Sequence, residues 1–255
     1  DHIFDNEIVL LYKDDFPPPG YFWIFSKGKR RLNCGIGWMK YQSDTLGSMK
    51  EGYLREMDNY YPRDSYKVIK TGGGQIPVRP PFDSLVFNGG ALAGDAACMV
   101  HPVTAEGHAP ALDTSMHLGK VIVEALKTGK REKEALWPYN IAVSHHYAKK
   151  HQQALVMRNL MEDIGAKGFE FMLRKQIFKN EEMDLVFSGN ELVLSLWEKI
   201  KRVSKLLLKP KLLIALKRVF DSVDLCEKLY NKYPTNPEEL DSWRKERNRL
   251  LKVNF

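Results

Sequence analysis

Leu92-Ala93-Gly94-Asp95-Ala96-Ala97 and, a short loop later, Pro102-Val103-Thr104-Ala105-Glu106-Gly107-His108 are the residues on which the reading of the fold turns. The apolar run Ser84 to Ala93 reads as a strand ending at Gly94-Asp95, and Ala109 to Thr128 has the spacing of a helix. Strand, loop and helix follow one another as a single unit.

A carboxylate where a strand opens toward a helix can accept hydrogen bonds from sugar or ribityl hydroxyls, and Gly94 lets the backbone come close to a ligand. Backbone N–H groups at the helix start near Gly107, with the helix dipole behind them, suit the electron-rich edge of a reduced flavin. Taken alone, Gly-Asp-Ala-Ala also suits a plain turn packed by small residues. Pro102 and Glu106-Gly107 downstream add weight to the ligand reading.

Upstream the chain reads as sheet. Glu7 to Tyr12 is a short apolar run, Phe16-Pro17-Pro18-Pro19-Gly20 forces a turn, and Tyr21 to Phe25 is aromatic-rich. Leu32 to Trp38 has strand character after a basic turn at Lys27 to Arg31, which predicts an antiparallel hairpin. A helix is expected over Gly47 to Asn59 and a strand near Tyr66 to Ile69. Alternate side chains of a strand share a face, so Tyr21, Trp23 and Phe25 stand in line. Three rings in line can wall an elongated apolar channel, or form an aromatic core stripe. Gly35 and Gly37 close the hairpin, where glycine lets a ligand or another backbone approach.

Downstream of Lys130 the pattern is helical: Glu132 to Ile164, Lys167 to Lys179, Ser195 to Leu208, Pro210 to Tyr230 and Pro237 to Val253. Pro210 and the Tyr233 to Pro237 segment mark breaks, and Thr235 or Asn236 can cap the last helix. The fold class is therefore α+β. An antiparallel-sheet region spans 1–76, the strand-loop-helix unit lies in 77–129, and a helical domain fills 130–255.

The net charge of +7 is concentrated: between Glu198 and Phe220 there are eight basic residues against one acid. Leu196, Ile200, Val203 and Leu207 share one helical face with Lys and Arg opposite, and Leu212, Leu216, Val219 and Val223 continue the pattern. Such basic helices over 195–220 either lie on an anionic membrane or pack their apolar face and solvate their charges. Nucleic acid is not expected, because no recognition motif or aromatic platform accompanies the charge. No stretch approaches the roughly 20 apolar residues of a membrane span. Three widely spaced cysteines suggest neither a disulfide framework nor a zinc site, and point to a reducing cytoplasm. Cys98 reads as a small buried thiol, and His145, His146 and His151 as surface residues without a metal pattern.

The run Gly94 to Leu112 resembles the second flavin motif of the flavoprotein hydroxylase and geranylgeranyl reductase superfamily. The resemblance implies FAD as cofactor, with Gly94, Asp95, Pro102, Gly107 and His108 in its site. Asp95 would hold the ribityl region, with Gly107 and His108 by the isoalloxazine ring. His108 departs from the apolar residue often found there. Tyr21, Trp23, Phe25, Gly35 and Gly37 match the geranylgeranyl reductase signature and are the implied substrate-binding residues; Ser26 stands where Pro is usual. Gly72 to Pro80 looks like the strand before the flavin loop. Lys228-Leu229-Tyr230, Tyr233-Pro234 and Asp241-Ser242-Trp243-Arg244 resemble the tail of archaeal members acting on digeranylgeranyl glycerophospholipids.

The resemblance implies saturation of double bonds in the geranylgeranyl chains of archaeal lipids, with NAD(P)H, ferredoxin or another electron donor. It names no catalytic residue and no metal. The alternatives are an FAD monooxygenase or halogenase, and a non-catalytic lipid-binding module on a membrane surface. The implied setting is the cytoplasm or the cytoplasmic membrane face. The superfamily's N-terminal GxGxxG unit has no counterpart in this sequence, so the resemblance implies a chain shortened by about 200 residues.

Overall fold

The computed structural model describes residues 7–13, 20–37, 46–177, 179 and 209–251. They form two compact units, one of Asp1–Gly74 with Met161–Gln176 and one of Gln75–Leu160 with Ile177–Phe255. Each has its own core.

In the first unit β1 (Ile8–Leu11), β2 (Tyr21–Ser26) and β3 (Leu32–Gly37) make an antiparallel sheet in the order β1-β2-β3. The β2–β3 hairpin is the expected one. Its turn carries Gly28, Lys29 and Arg30 in the left-handed region. Alternation along β2 splits its side chains between the faces. Phe22 and Ile24 are fully buried, and form a small core with Met57 of α1 (Leu46–Tyr60). Tyr21, Trp23 and Phe25 stand on the other face, half-buried. On α1 the buried carboxylate of Glu56 pairs with Lys13, which keeps the charge tolerable inside the core.

The strand expected near Tyr66 to Ile69 does not form, and neither does one over Gly72 to Pro80. Both stretches lie outside any helix or strand and have no sheet partner among the described residues. Alternation favours an extended backbone, but only a neighbour with free N–H and C=O groups makes it a strand.

The second unit corrects another reading. Ser84 to Ala93 is not one strand but a tight hairpin, β4 (Val86–Phe87) against β5 (Gly90–Ala91), turned at Asn88-Gly89 with Gly89 at φ 82°. A 3-10 turn over Gly94–Ala97 follows, then α2 (His108–Lys127) and α3 (Lys133–Val143). A π-turn over Ser144–Ala148 leads into α4 (Lys149–Arg174), which belongs to the second unit as far as Leu160 and to the first from Met161 on; Gly165 breaks its helical dihedrals at φ 64°. That kink lies where two separate helices were expected to meet. α5 (Pro210–Tyr230) and α6 (Leu240–Leu251) complete the unit. Asn236 starts the last helical segment, its side chain accepting from the Glu238 and Glu239 N–H groups. The basic helix expected at Ser195 to Leu208 lies outside the described residues.

One core joins the residues on either side of position 130. Leu85, Val86 and Met99 pack with Trp137, Tyr139, Tyr233 and Trp243. The polar tips in this core are all satisfied. Trp137 donates to Pro234 O at 2.9 Å, Trp243 to Leu229 O at 2.9 Å, and Tyr233 to Asp83 O at 2.5 Å.

Candidate functional site

α3 holds the approach to the Gly94 loop. Asn140 accepts from Leu85 N at 2.8 Å and donates to Ser84 Oγ at 3.0 Å, while Tyr139 donates to Leu92 O at 3.0 Å. The chain therefore leaves the hairpin at a fixed point two residues before Gly94. Gly94 then takes φ 57°, a left-handed conformation that glycine adopts without strain. Cys98 ends the turn at φ 57°, its N–H donating to Asp95 O at 2.9 Å. It is buried as expected, and burial pushes its thiol up from the ordinary range.

The turn leaves the Asp95 carboxylate exposed and without a hydrogen bond among the described residues. Across from it lies Gly107. A Cβ there would meet Val100 Cγ2 at 3.2 Å and Asp95 Oδ1 at 3.6 Å, so the space beside the carboxylate exists because residue 107 is glycine. At the start of α2 the Ala109 N–H is taken by Glu106 Oε1 at 2.9 Å and the Ala111 N–H by Gly107 O at 3.0 Å. Pro110 has no N–H. The N–H groups of Gly107 and His108 are those left to an incoming group. Pro102 is buried within the loop, and the His108 side chain is exposed.

Two histidines stand behind this loop. His101 and His151 are 5% and 2% exposed, with ring centroids 5.8 Å apart, edge to face. His101 was not singled out in the sequence, and His151, read there as a surface residue, is buried; His145 and His146 are exposed as expected. Burial pushes His101 down to about 4, against a smaller upward pull from Glu106. His151 is pushed down to about 3 by burial, then by His101 and Lys150. Four residues before His151, Tyr147 faces its ring at 6.1 Å and donates to Asp113 Oδ2 at 2.7 Å. Burial and then that bond push the Tyr147 hydroxyl up to about 12. The sequence signal for His101 was slight: a histidine directly before Pro102. His151 had none, because its partner lies 50 residues away.

In the other unit the expected aromatic line is present. Ring centroids step from Tyr21 to Trp23 at 6.0 Å and from Trp23 to Phe25 at 6.2 Å. Two unforeseen rings extend it: Tyr12 stands 5.6 Å from Tyr21, and Phe169 of α4 stands 6.0 Å from Tyr12. Gly35 faces Trp23 and Gly37 faces Tyr21 across the hairpin, and the Trp23 indole occupies the space a Cβ on Gly35 would need. The close approach that Gly35 permits is thus the approach of Trp23.

Residues 2–76, which contain this sheet, match the geranylgeranyl reductase catalytic domain. Over 97% of its length the chain is 31% identical to the digeranylgeranylglycerophospholipid reductase of Sulfolobus acidocaldarius. The chain belongs to the geranylgeranyl reductase family. A second member of that name, from Methanoculleus marisnigri, is 36% identical over 128 residues, half of this chain and 31% of the relative. The fold is also that of a geranylgeranyl bacteriochlorophyll reductase-like protein of Thermoplasma acidophilum. That crystal structure superposes with TM-score 0.63 over 83% of this chain and 50% of its own, at 21% identity. The chain spans 55% of the Sulfolobus reductase, so it corresponds to about half the length of that member of the family.

Proposed function

We propose that the protein takes part in FAD-dependent reduction of carbon–carbon double bonds in the geranylgeranyl chains of archaeal ether lipids. The observation that carries this reading is the aromatic line on the one sheet that matches the family's catalytic domain. An isolated alkene offers no polar handle, so recognition must come from apolar shape. Rings spaced along a strand give that shape over the length of a prenyl chain.

The Gly94 loop fits a flavin. Asp95 supplies an unpaired carboxylate for the ribityl hydroxyls, and Gly107 leaves room beside it. The Gly107 and His108 N–H groups would meet the electron-rich edge of the ring. Reduced FAD supplies hydride chemistry when bound, and a proton completes the saturation. The chain's own task is to hold the alkene in line, and to exclude water and oxygen from it.

A lipid substrate has to be met at a membrane or a carrier. Among the described residues no helix is long and apolar enough to cross a membrane. On α5, Leu212, Leu216 and Val219 are buried while Lys211, Ile214, Lys217 and Arg218 are exposed. That face suits a peripheral contact with anionic lipid on the cytoplasmic side.

The test is anaerobic. The full-length protein with reduced flavin is mixed with digeranylgeranyl glycerophospholipid, and the flavin absorbance is followed. Reoxidation driven by the lipid alone supports the reading. Reoxidation that requires oxygen overturns it in favour of monooxygenase chemistry.

A further inference from the structure

We propose that His101 is a positioning residue for the flavin: its neutral imidazole, covered by His151, locks residues 101–107 in the shape that offers the Gly107 and His108 N–H groups. This rests on the flavin reading above and assigns the control of that site to a residue outside it.

Four bonds tie the loop to this one histidine. The His101 N–H donates to Glu106 O at 2.8 Å, and the Ala105 N–H donates to His101 O at 2.9 Å. The imidazole Nδ1 accepts the Thr104 N–H at 3.2 Å and lies 3.1 Å from the Thr104 hydroxyl. That hydroxyl in turn accepts the Glu106 N–H at 3.3 Å. The closed ring of bonds holds Ala105 at φ 56°, an unfavourable left-handed value for a residue with a Cβ. Glu106, placed by the same ring, accepts the Ala109 N–H and so decides which N–H groups of α2 remain unclaimed.

The backbone N–H of Thr104 can only donate, which fixes Nδ1 as an unprotonated acceptor and puts the ring proton on Nε2. An imidazolium has no acceptor nitrogen, so the lock exists only in the neutral form. Burial favours that form, with Glu106 in the loop opposing it more weakly. His151 on α4 covers the ring edge to face, and Lys150 adds positive charge beside His151. Tyr147 on the π-turn covers His151 from the far side. His151 Nδ1 itself is buried without a partner among the described residues. A buried polar group left unpaired is costly, and the loop's geometry is a use that would retain it.

The test is an FAD titration of the full-length protein and three variants, with the melting temperature of each apo-protein. His101→Leu keeps the site filled but cannot accept. It is expected to fold and to bind FAD about tenfold more weakly. His101→Asn can accept from Thr104 through Oδ1 and is expected to restore affinity to within about threefold. Thr104→Val removes the hydroxyl and the bond it accepts from the Glu106 N–H while the Thr104 N–H still reaches His101, and is expected to weaken FAD several-fold in an apo-protein that still unfolds cooperatively. Wild-type affinity in Thr104→Val together with His101→Leu overturns the proposal. If His101→Leu does not fold, wild-type affinity in Thr104→Val overturns it alone. Failure of the wild type to bind FAD is a different result: it removes the flavin reading, and this proposal with it.

Discussion

Trp23 lies across Gly35 on the neighbouring strand, so close that a Cβ on the glycine would fall among the indole ring atoms. The indole is held there by its Nε1–H, which donates to Asn33 Oδ1 at 2.9 Å. A side chain at position 35 must therefore push Trp23 off β3 and out of line with Tyr21 and Phe25. Gly35→Ala is expected to destabilise the protein by about 1–3 kcal/mol, the usual cost of overpacking. It should also raise KM for the lipid while FAD affinity is unchanged. Gly37→Ala is the control, since its Cβ would make an ordinary 3.8 Å contact with the same indole. Denaturant unfolding and steady-state kinetics check both.

The exposed carboxylate of Asp95 makes no hydrogen bond or ion pair among the described residues. Asp95→Ala should leave the melting temperature within a few degrees of wild type. Its loss should cost FAD about 1.5–3 kcal/mol of binding, the range for a hydrogen bond to a charged group. Isothermal titration with FAD measures this. Unaltered affinity would remove Asp95 from the flavin site.

The buried histidines make stability depend on pH in a defined window. Both are held below the ordinary value of 6.5, His101 at about 4 and His151 at about 3, so the unfolded chain takes up their protons first. Above 6.5 both states are neutral and nothing changes. As pH falls from 6.5 toward 4, each histidine subtracts up to about 1.4 kcal/mol of stability per pH unit. His151 continues to do so down to about 3. Carboxylates titrate in the same range, so the informative curve is wild type minus His151→Leu. That difference should be flat above pH 7 and slope downward below pH 6.

Where local chemistry decides structure, the sequence was legible. Tyr21 to Phe25 alternates, and β2 buries Phe22 and Ile24 while lining Tyr21, Trp23 and Phe25 on the other face. The helix following Gly107 was equally plain, and the cap of the last helix was narrowed to Thr235 or Asn236, of which the structure uses Asn236. Ser84 to Ala93 was misread because its apolar run hid Asn88-Gly89, a dipeptide that favours the left-handed dihedrals of a tight hairpin turn. Tyr66 to Ile69 was misread because a strand needs a partner that alternation cannot supply. In the site, residues consecutive along the Gly94 loop could be found together. Tyr12, Phe169 and His151 could not, since only tertiary packing brings them to their partners; His101 bonds within its own loop, but no spacing marks it there.

The exposed basic face of α5 gives a further outcome. Each Lys or Arg near an anionic surface contributes about 1 kcal/mol of attraction. Replacing Lys211, Lys217 and Arg218 by Glu should abolish sedimentation with anionic vesicles, with little change for zwitterionic ones. Undiminished vesicle binding would assign this face to solvent alone.

Saturation of geranylgeranyl chains is the activity proposed for the protein, and the lipid itself reports on it most directly. The full-length gene product, reduced anaerobically with FAD bound, is given digeranylgeranyl glycerophospholipid, and the lipid is followed by mass spectrometry. A stepwise gain of two hydrogens for each double bond reduced is expected. A lipid unchanged in mass, with the flavin bound and reduced, would contradict it.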